Sequence, residues 1–230
     1  MRKGQPKTIY LRDYEASAYQ VTAISLVFEL GEEATLVTSV CAYQRNPGVA
    51  ADTPLELYGE ELELLALRVN GLPLAAEAYT LTATTLSIPN VPAHCTVEVV
   101  TRIYPQQNTS LEGLYQSSGN FCTQCEAQGF RKITYYLDRP DVLSVFSTQI
   151  IADKQKYPVL LANGNLVGSG DLPDGRHWAR WQDPFRKPAY LFALVAGDLQ
   201  HVEDHYTTAS GRDVTLRIYT EAHNIDKCDH

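Results

Sequence analysis

Apolar and polar residues alternate with a period of two along most of the chain, the spacing that sorts side chains onto the two faces of a strand. In VTAISLVFEL, Ile24, Leu26, Phe28 and Leu30 share one face while Ser25 and Glu29 point the other way. TLVTSVCAY sets Leu36, Thr38, Val40 and Ala42 against Val37, Ser39 and Cys41, and its β-branched residues favour a strand over a helix. Which of these two faces is buried stays open. CTVEVVTRIY aligns Cys95, Val97, Val99, Thr101 and Ile103, and YTLTATTLSI reads as a further strand. Asn70-Gly71 lies between two apolar runs, where Asn-Gly readily takes the positive φ angles of a two-residue hairpin turn. Asn163-Gly164, Asp174-Gly175 and Ser210-Gly211 carry hairpin signals of the same kind. The one helix-like stretch before residue 200 is RPDVLSVF, with Pro140 suited to a first helical position. The pattern as a whole predicts an all-β chain.

Residues 105–129, PQQNTSLEGLYQSSGNFCTQCEAQG, interrupt the alternation with Gly, Ser, Asn and Gln and no apolar stripe. They read as a long loop region, and long loops in compact domains are often functional. After Gly197-Asp198 comes a separate hairpin, HYTTASGRDVTLRIYT, and then a polar end.

Composition narrows the partners. The 230 residues are 44% hydrophobic, enough for a sizeable core, and carry a formal net charge of −8. That charge opposes phosphate backbones, no Lys/Arg cluster offsets it, and nucleic acid is not an expected partner. MRKGQPKTIYLRDYEAS reaches Asp13 and Glu15 without seven consecutive apolar residues, so it does not read as a secretory signal. Charged residues break every apolar run well before 18, so no membrane partner is expected. Five cysteines, at positions 41, 95, 122, 125 and 228, make an odd count at irregular spacing. This suits reduced thiols and a cytoplasmic location. Asn108-Thr109-Ser110 matches a glycosylation sequon, which without a signal peptide reads as chance.

Three chemistries compete for the loop. Cys122-x-x-Cys125 has the spacing of half a zinc site, but no second Cys or His pair completes a tetrahedron. A redox dithiol would sit at a helix N-terminus in a βαβ unit, and the surroundings are all β. HVEDH, residues 201–205, superficially resembles a metalloprotease helix, yet Val202 follows His201 and Glu203 stands one place late. No Gly-x-Ser-x-Gly elbow or Gly-rich phosphate loop occurs. Gln124 and Glu126 remain: a loop carboxylate beside an amide can receive a ligand ammonium, the plain alternative being a solvated Glu.

Four ordered motifs carry a family resemblance: Asn108-Thr109-Ser110-Leu111-Glu112-Gly113-Leu114-Tyr115, Thr123-Gln124-Cys125-Glu126, Tyr136-Leu137-Asp138-Arg139-Pro140-Asp141, and the run PAYLFALVAGD. Over nearly its whole length the chain resembles the N-terminal region of the bacterial aminopeptidase N family, zinc metalloaminopeptidases of the gluzincin type. The resemblance implies a saddle-shaped, β-sandwich-like N-terminal domain over residues 1–198. The first strands of a truncated thermolysin-like catalytic domain would come next, over 199–230. It implies that Glu126 contacts the α-amino group of a peptide substrate with a free N-terminus, that Gln124 lines the pocket for the first side chain, and that Cys122 and Cys125 are incidental. Zinc is the implied cofactor of the full-length enzyme. The family's Gly-x-Met-Glu-Asn and His-Glu-x-x-His motifs are missing here, so no catalytic or metal-binding residue is expected in this chain. It is expected to be a fragment, inactive alone. A self-sufficient, non-catalytic β-sandwich binding module is the alternative.

Overall fold

The computed structural model describes residue 8 and residues 10–228. Strands make up 54% of the described residues, and the helical turns among them are short 3-10 segments. The largest sheet has eight strands in the order Asn165–Asp171, Arg176–Pro188, Leu143–Asp153, Tyr19–Leu30, Thr35–Arg45, His94–Ile103, Glu63–Val69 and Leu72–Pro73. Neighbours are antiparallel except Tyr19–Leu30 and Leu143–Asp153, which run parallel.

Alternation decides which face is buried, and one bulge resets it. Between Val21 and Ala23 the register against Thr35–Arg45 slips, leaving Thr22 as the extra residue. A one-residue insertion turns every later side chain to the opposite face. Tyr19 and Val21 are therefore buried before the bulge, and Ile24, Leu26, Phe28 and Leu30 after it. In Thr35–Arg45 the buried face is the one bearing Val37, Ser39, Cys41 and Tyr43. Cys95, Val97, Val99, Thr101 and Ile103 are all buried, as their spacing predicts.

Two smaller sheets contribute to the same core. One orders Val159–Ala162, Leu194–Gly197, Asn120–Gln124 and Gly113–Ser117; the other orders Leu55–Tyr58, Thr85–Ile88 and Thr80–Leu81. A single core cluster draws Phe28 and Phe146 from the large sheet, Phe121 and Leu194 from the second, and Leu57 and Leu86 from the third. This is a sandwich-like packing of sheets. The segment 129–137 crosses the inner face of the large sheet. There Thr134 and Ser39 share a buried hydroxyl bond of 2.9 Å, and Thr101 Oγ1 donates to the Ile133 carbonyl at 3.0 Å. Those bonds satisfy polar groups that would otherwise be buried without partners.

Four local expectations change. Asn163-Gly164 is a corner between sheets, since Val159–Ala162 pairs with Leu194–Gly197 whereas Asn165–Asp171 pairs with Arg176–Pro188. Gly164 has φ +90°, and a Cβ there would overlap the Gln182 carbonyl. YTLTATTLSI is two short paired strands, Thr80–Leu81 and Thr85–Ile88, rather than one. RPDVLSVF forms no helix: Val142 N–H closes a turn onto the Arg139 carbonyl at 3.2 Å, and strand Leu143–Asp153 begins at once. Pro140 thus takes the second position of a turn, which fits its fixed φ as well as a helix start does. Residues 105–129 contain the hairpin Gly113–Ser117 and Asn120–Gln124, turning at Ser118 and Gly119 with φ of 50° and 83°. Its few buried positions, Gly113, Leu114, Asn120 and Phe121, are too sparse to make a stripe. Asn70-Gly71, Asp174-Gly175 and Ser210-Gly211 all turn hairpins. The last joins Gln200–Thr207 to Asp213–Thr220 in a two-stranded sheet of their own.

Tyr14 and Glu15 are tied to one corner. Arg139 forks Asp141 at 2.8 and 2.7 Å and donates to the Glu15 carbonyl at 2.6 Å, while the Tyr14 hydroxyl donates to Asp141 at 2.9 Å. The Arg139 guanidinium holds the Asp141 carboxyl below its ordinary value of 3.8. A depressed folded-state pKa means that this tie is complete above 3.8 and is lost as pH falls through the folded value. Acid is therefore expected to free residues 10–16 before the sheets melt. Amide exchange there, compared with Leu143–Asp153 across a pH series, checks it; simultaneous release would contradict it.

Candidate functional site

Gln124 is the last residue of its strand and lies opposite Gly113. On the other edge, backbone pairing with Leu194–Gly197 stops after Cys122, opposite Val195. The Thr123 side chain then stands in for the backbone: Leu194 N–H donates to Thr123 Oγ1 at 2.8 Å, and that hydroxyl donates to the Leu194 carbonyl at 3.3 Å. Beyond it the chain leaves the sheet.

Residues 125–129 form a loop with buried ends. Gly129 N–H closes it onto the Cys125 carbonyl at 2.8 Å. Cys125 and, just after the loop, Phe130 are buried, whereas Glu126, Ala127 and Gln128 are exposed. Gly129 is required by close approach, since a Cβ would collide with the Gln124 carbonyl, the Gly113 nitrogen and the Cys125 Cα. The Glu126–Ala127 peptide is cis. Gln124 Nε2 donates to the Glu126 carbonyl at 3.2 Å, so the two residues singled out from sequence are brought together. The Glu126 carboxylate is exposed and has no hydrogen-bond or ion-pair partner among the described residues. Its two oxygens and the Gln124 amide oxygen are acceptors, the complement of an ammonium's three N–H donors.

The loop also borders a concavity. A cavity of about 300 Å³ is lined by Gln128 together with Tyr58, Arg131, Asp138 and Arg139; Gln124 and Glu126 are not part of that lining. Within it Asp138 is buried and accepts from Arg131 Nε at 3.0 Å and from the Arg131 backbone N–H at 3.2 Å. Burial pushes the Asp138 carboxyl above its ordinary value, with Arg131 pulling the other way. Sequence reading passed over Arg131 and Asp138 as parts of the site. Their spacing matches no chemical motif, and only the fold brings them together.

Cys122 and Cys125 have no third His, Cys, Asp or Glu grouped with them among the described residues. Burial pushes the Cys125 thiol well up, and burial with the nearby Glu221 carboxylate raises that of Cys122. No group of three or more His, Cys, Asp or Glu among the described residues is placed to hold an ion. His201 and His205 lie on strand Gln200–Thr207, where four residues span about 13 Å rather than one helical turn. The His201 ring packs on Tyr219 at 5.0 Å, and His205 faces Asp213 at 3.3 Å and Glu203 at 3.5 Å. Among the described residues, the donors present do not come together in a set that fits zinc.

Comparison with known proteins adds the family. The model of the Peptidase M1 N-terminal domain matches residues 73–191. Aminopeptidase N of Escherichia coli is 52% identical over 223 residues, 97% of this chain and 25% of that protein. Aminopeptidase N of Caulobacter vibrioides is 47% identical over 221 residues, 96% of this chain and 25% of its own. The crystal structure of Legionella pneumophila aminopeptidase A in complex with aspartic acid superposes with a TM-score of 0.90 at 36% identity, covering 95% of this chain and 26% of that one. An M1 zinc metallopeptidase from Deinococcus radiodurans shares the fold at 15% identity, with a TM-score of 0.75, over 90% of this chain and 48% of its own. The chain spans about a quarter of the length of the curated aminopeptidase N relatives it matches.

Proposed function

Because this chain belongs to the Peptidase M1 N-terminal domain family, we propose that it is the substrate-recognition domain of a zinc aminopeptidase that removes N-terminal amino acids from peptides. In this reading Glu126 receives the substrate's α-ammonium and Gln124 lines the pocket for its first side chain. The observation that carries it is the exposed Glu126 carboxylate, without a partner among the described residues, on a residue whose backbone carbonyl accepts from Gln124 and whose loop has buried ends. Once water is excluded, a charge-assisted hydrogen bond from the ammonium contributes roughly 1.5 to 3 kcal/mol. The recognition domain ends near Asp198, a boundary supported by the separate sheet of Gln200–Thr207 and Asp213–Thr220. These two strands then open the catalytic domain. The metal ligands belong to the remainder of the enzyme, a placement supported by the lack of a grouped ligand set among the described residues. The cytoplasm is the compartment, in keeping with five free cysteines.

The test compares two proteins. The full-length product of the parent gene is expected to release alanine from an alanyl reporter, with a chelator abolishing the activity and zinc restoring it. The 230-residue chain is expected to do neither, and metal analysis should find no stoichiometric zinc in it. Turnover by the short chain, or one tightly held zinc per chain, would overturn the recognition-only reading. A full-length product without peptidase activity would favour the stand-alone binding module instead.

A further inference from the structure

We propose that Asp138, acting through Arg131, is a positioning residue for the loop that carries Gln124 and Glu126. The inference rests on the amine-recognition reading above and names what sets the clamp's geometry.

The loop enters and leaves the fold differently. Its entry is held by sheet pairing as far as Cys122 and then by the Thr123 bonds to Leu194. Its exit, at Phe130–Lys132, is a single 3-10 turn that belongs to no sheet. There the buried Phe130 ring anchors the turn, and Asp138 adds a directed hold. One carboxylate oxygen accepts from both the backbone N–H and Nε of Arg131, and Arg131 Nη2 donates to the Asp138 carbonyl at 2.9 Å. On the opposite side Glu60 N–H donates to the Arg131 carbonyl at 2.9 Å, and the guanidinium lies 4.7 Å from the centre of the Tyr58 ring. Tyr58 in turn exchanges two backbone hydrogen bonds with Tyr136, at 2.8 and 3.0 Å. Gly129, packed against the Gln124 carbonyl, couples the exit to the end of the Gln124 strand.

Energetics point to orientation rather than stability as the use of this pair. Asp138 is 3% exposed, and taking a carboxylate and a guanidinium out of water costs much of what their attraction returns. Apolar residues would fill the same space without that penalty. A guanidinium fork bonded to both the side chain and the backbone of one residue fixes direction, which apolar packing does not. Direction matters at the loop tip, because a misplacement of about 1 Å in a positioned group can cost on the order of 100-fold in rate.

The test reads the amine contact separately from general damage. In the full-length enzyme, a free amino acid and its des-amino counterpart are compared as competitive inhibitors, and the ratio of their inhibition constants reports what the amine gains. Glu126→Ala should collapse that ratio. Asp138→Asn, which keeps the size but removes the charge, should lower it about tenfold. In the 230-residue chain the same variant should speed amide exchange at residues 126–131 and leave the strand Tyr19–Leu30 protected. If Glu126→Ala collapses the ratio while Asp138→Asn preserves it, the positioning role is overturned and the amine clamp stands. If Glu126→Ala leaves the ratio unchanged, the clamp itself fails and the proposal falls with it. Should Asp138→Asn not fold, Arg131→Lys, which keeps a cation but loses the fork, replaces it in both measurements with the same expected results.

Discussion

Alanine at position 126 in the full-length enzyme is expected to reduce kcat/KM on alanyl substrates by on the order of 2 to 5 kcal/mol, or about 30- to 5,000-fold. The size comes from what is left behind. With the carboxylate gone, a substrate ammonium entering a closed cleft gives up water and gains no counter-charge, and the loss of one member of a desolvated pair has that cost. The loop itself should survive the change, because Glu126 is exposed and contributes only its backbone carbonyl to the bond with Gln124. Thermal stability should therefore stay within about 0.5 kcal/mol of the parent, as for surface substitutions generally. Glu126→Gln, which keeps the shape and loses the charge, should fall between the two. A Glu126→Ala enzyme with near wild-type kcat/KM would refute the amine clamp.

Phe130→Ala is expected to destabilise the 230-residue chain by about 3 to 5 kcal/mol. Phe130 is fully buried directly after the loop, with its ring edge-on to Tyr136 at 5.1 Å, Phe192 at 5.3 Å and Phe146 at 6.0 Å. Phe146 and Phe192 belong to different layers, the former on the central strand Leu143–Asp153 and the latter next to the smaller sheet's Leu194–Gly197. Removing the ring empties the junction between them. Phe146 is held by its strand and Tyr136 by its paired backbone bonds to Tyr58, so these rings cannot collapse freely into such a void, and the cost grows with the volume that stays empty. For a chain of this length the melting temperature should drop by roughly 6 to 20 °C. Leu143→Ala, at a side chain 44% exposed, serves as the control and should shift it far less. Equal shifts for the two variants would show that the aromatic cluster is not the centre of the core. In the full-length enzyme Phe130→Ala should also weaken substrate binding, since this ring anchors the exit of the Glu126 loop.

Much of the fold is legible from residue spacing because burial on one face of a strand repeats every two positions. Ile24 to Leu30 and Cys95 to Ile103 are read correctly for that reason, and Asn70-Gly71, Asp174-Gly175 and Ser210-Gly211 announce turns that need positive φ. The misreadings have causes of the same local kind. Asn163-Gly164 has turn chemistry, yet whether a turn closes a hairpin or a corner depends on which strands its flanks join. Pro140 suits a helix start and a turn equally, and pairing beside Tyr19–Leu30 decided in favour of a strand. Gly113–Ser117 and Asn120–Gln124 bury too few apolar side chains to leave a periodic trace.

At the site, Gln124 and Glu126 could be chosen as an amide and a carboxylate close together in an unusual loop, and the thiols of Cys122 and Cys125 set aside for want of partners. Composition, alternation and turn residues were enough to determine an all-β chain, because each is fixed within a few neighbouring residues. Tertiary structure alone decided that Arg131 and Asp138 meet beneath the loop, that Thr22 switches the buried face of its strand, and that Glu126 stays in solvent. Those outcomes depend on which segments exclude water from one another, and that is a property of packing between residues distant in the chain.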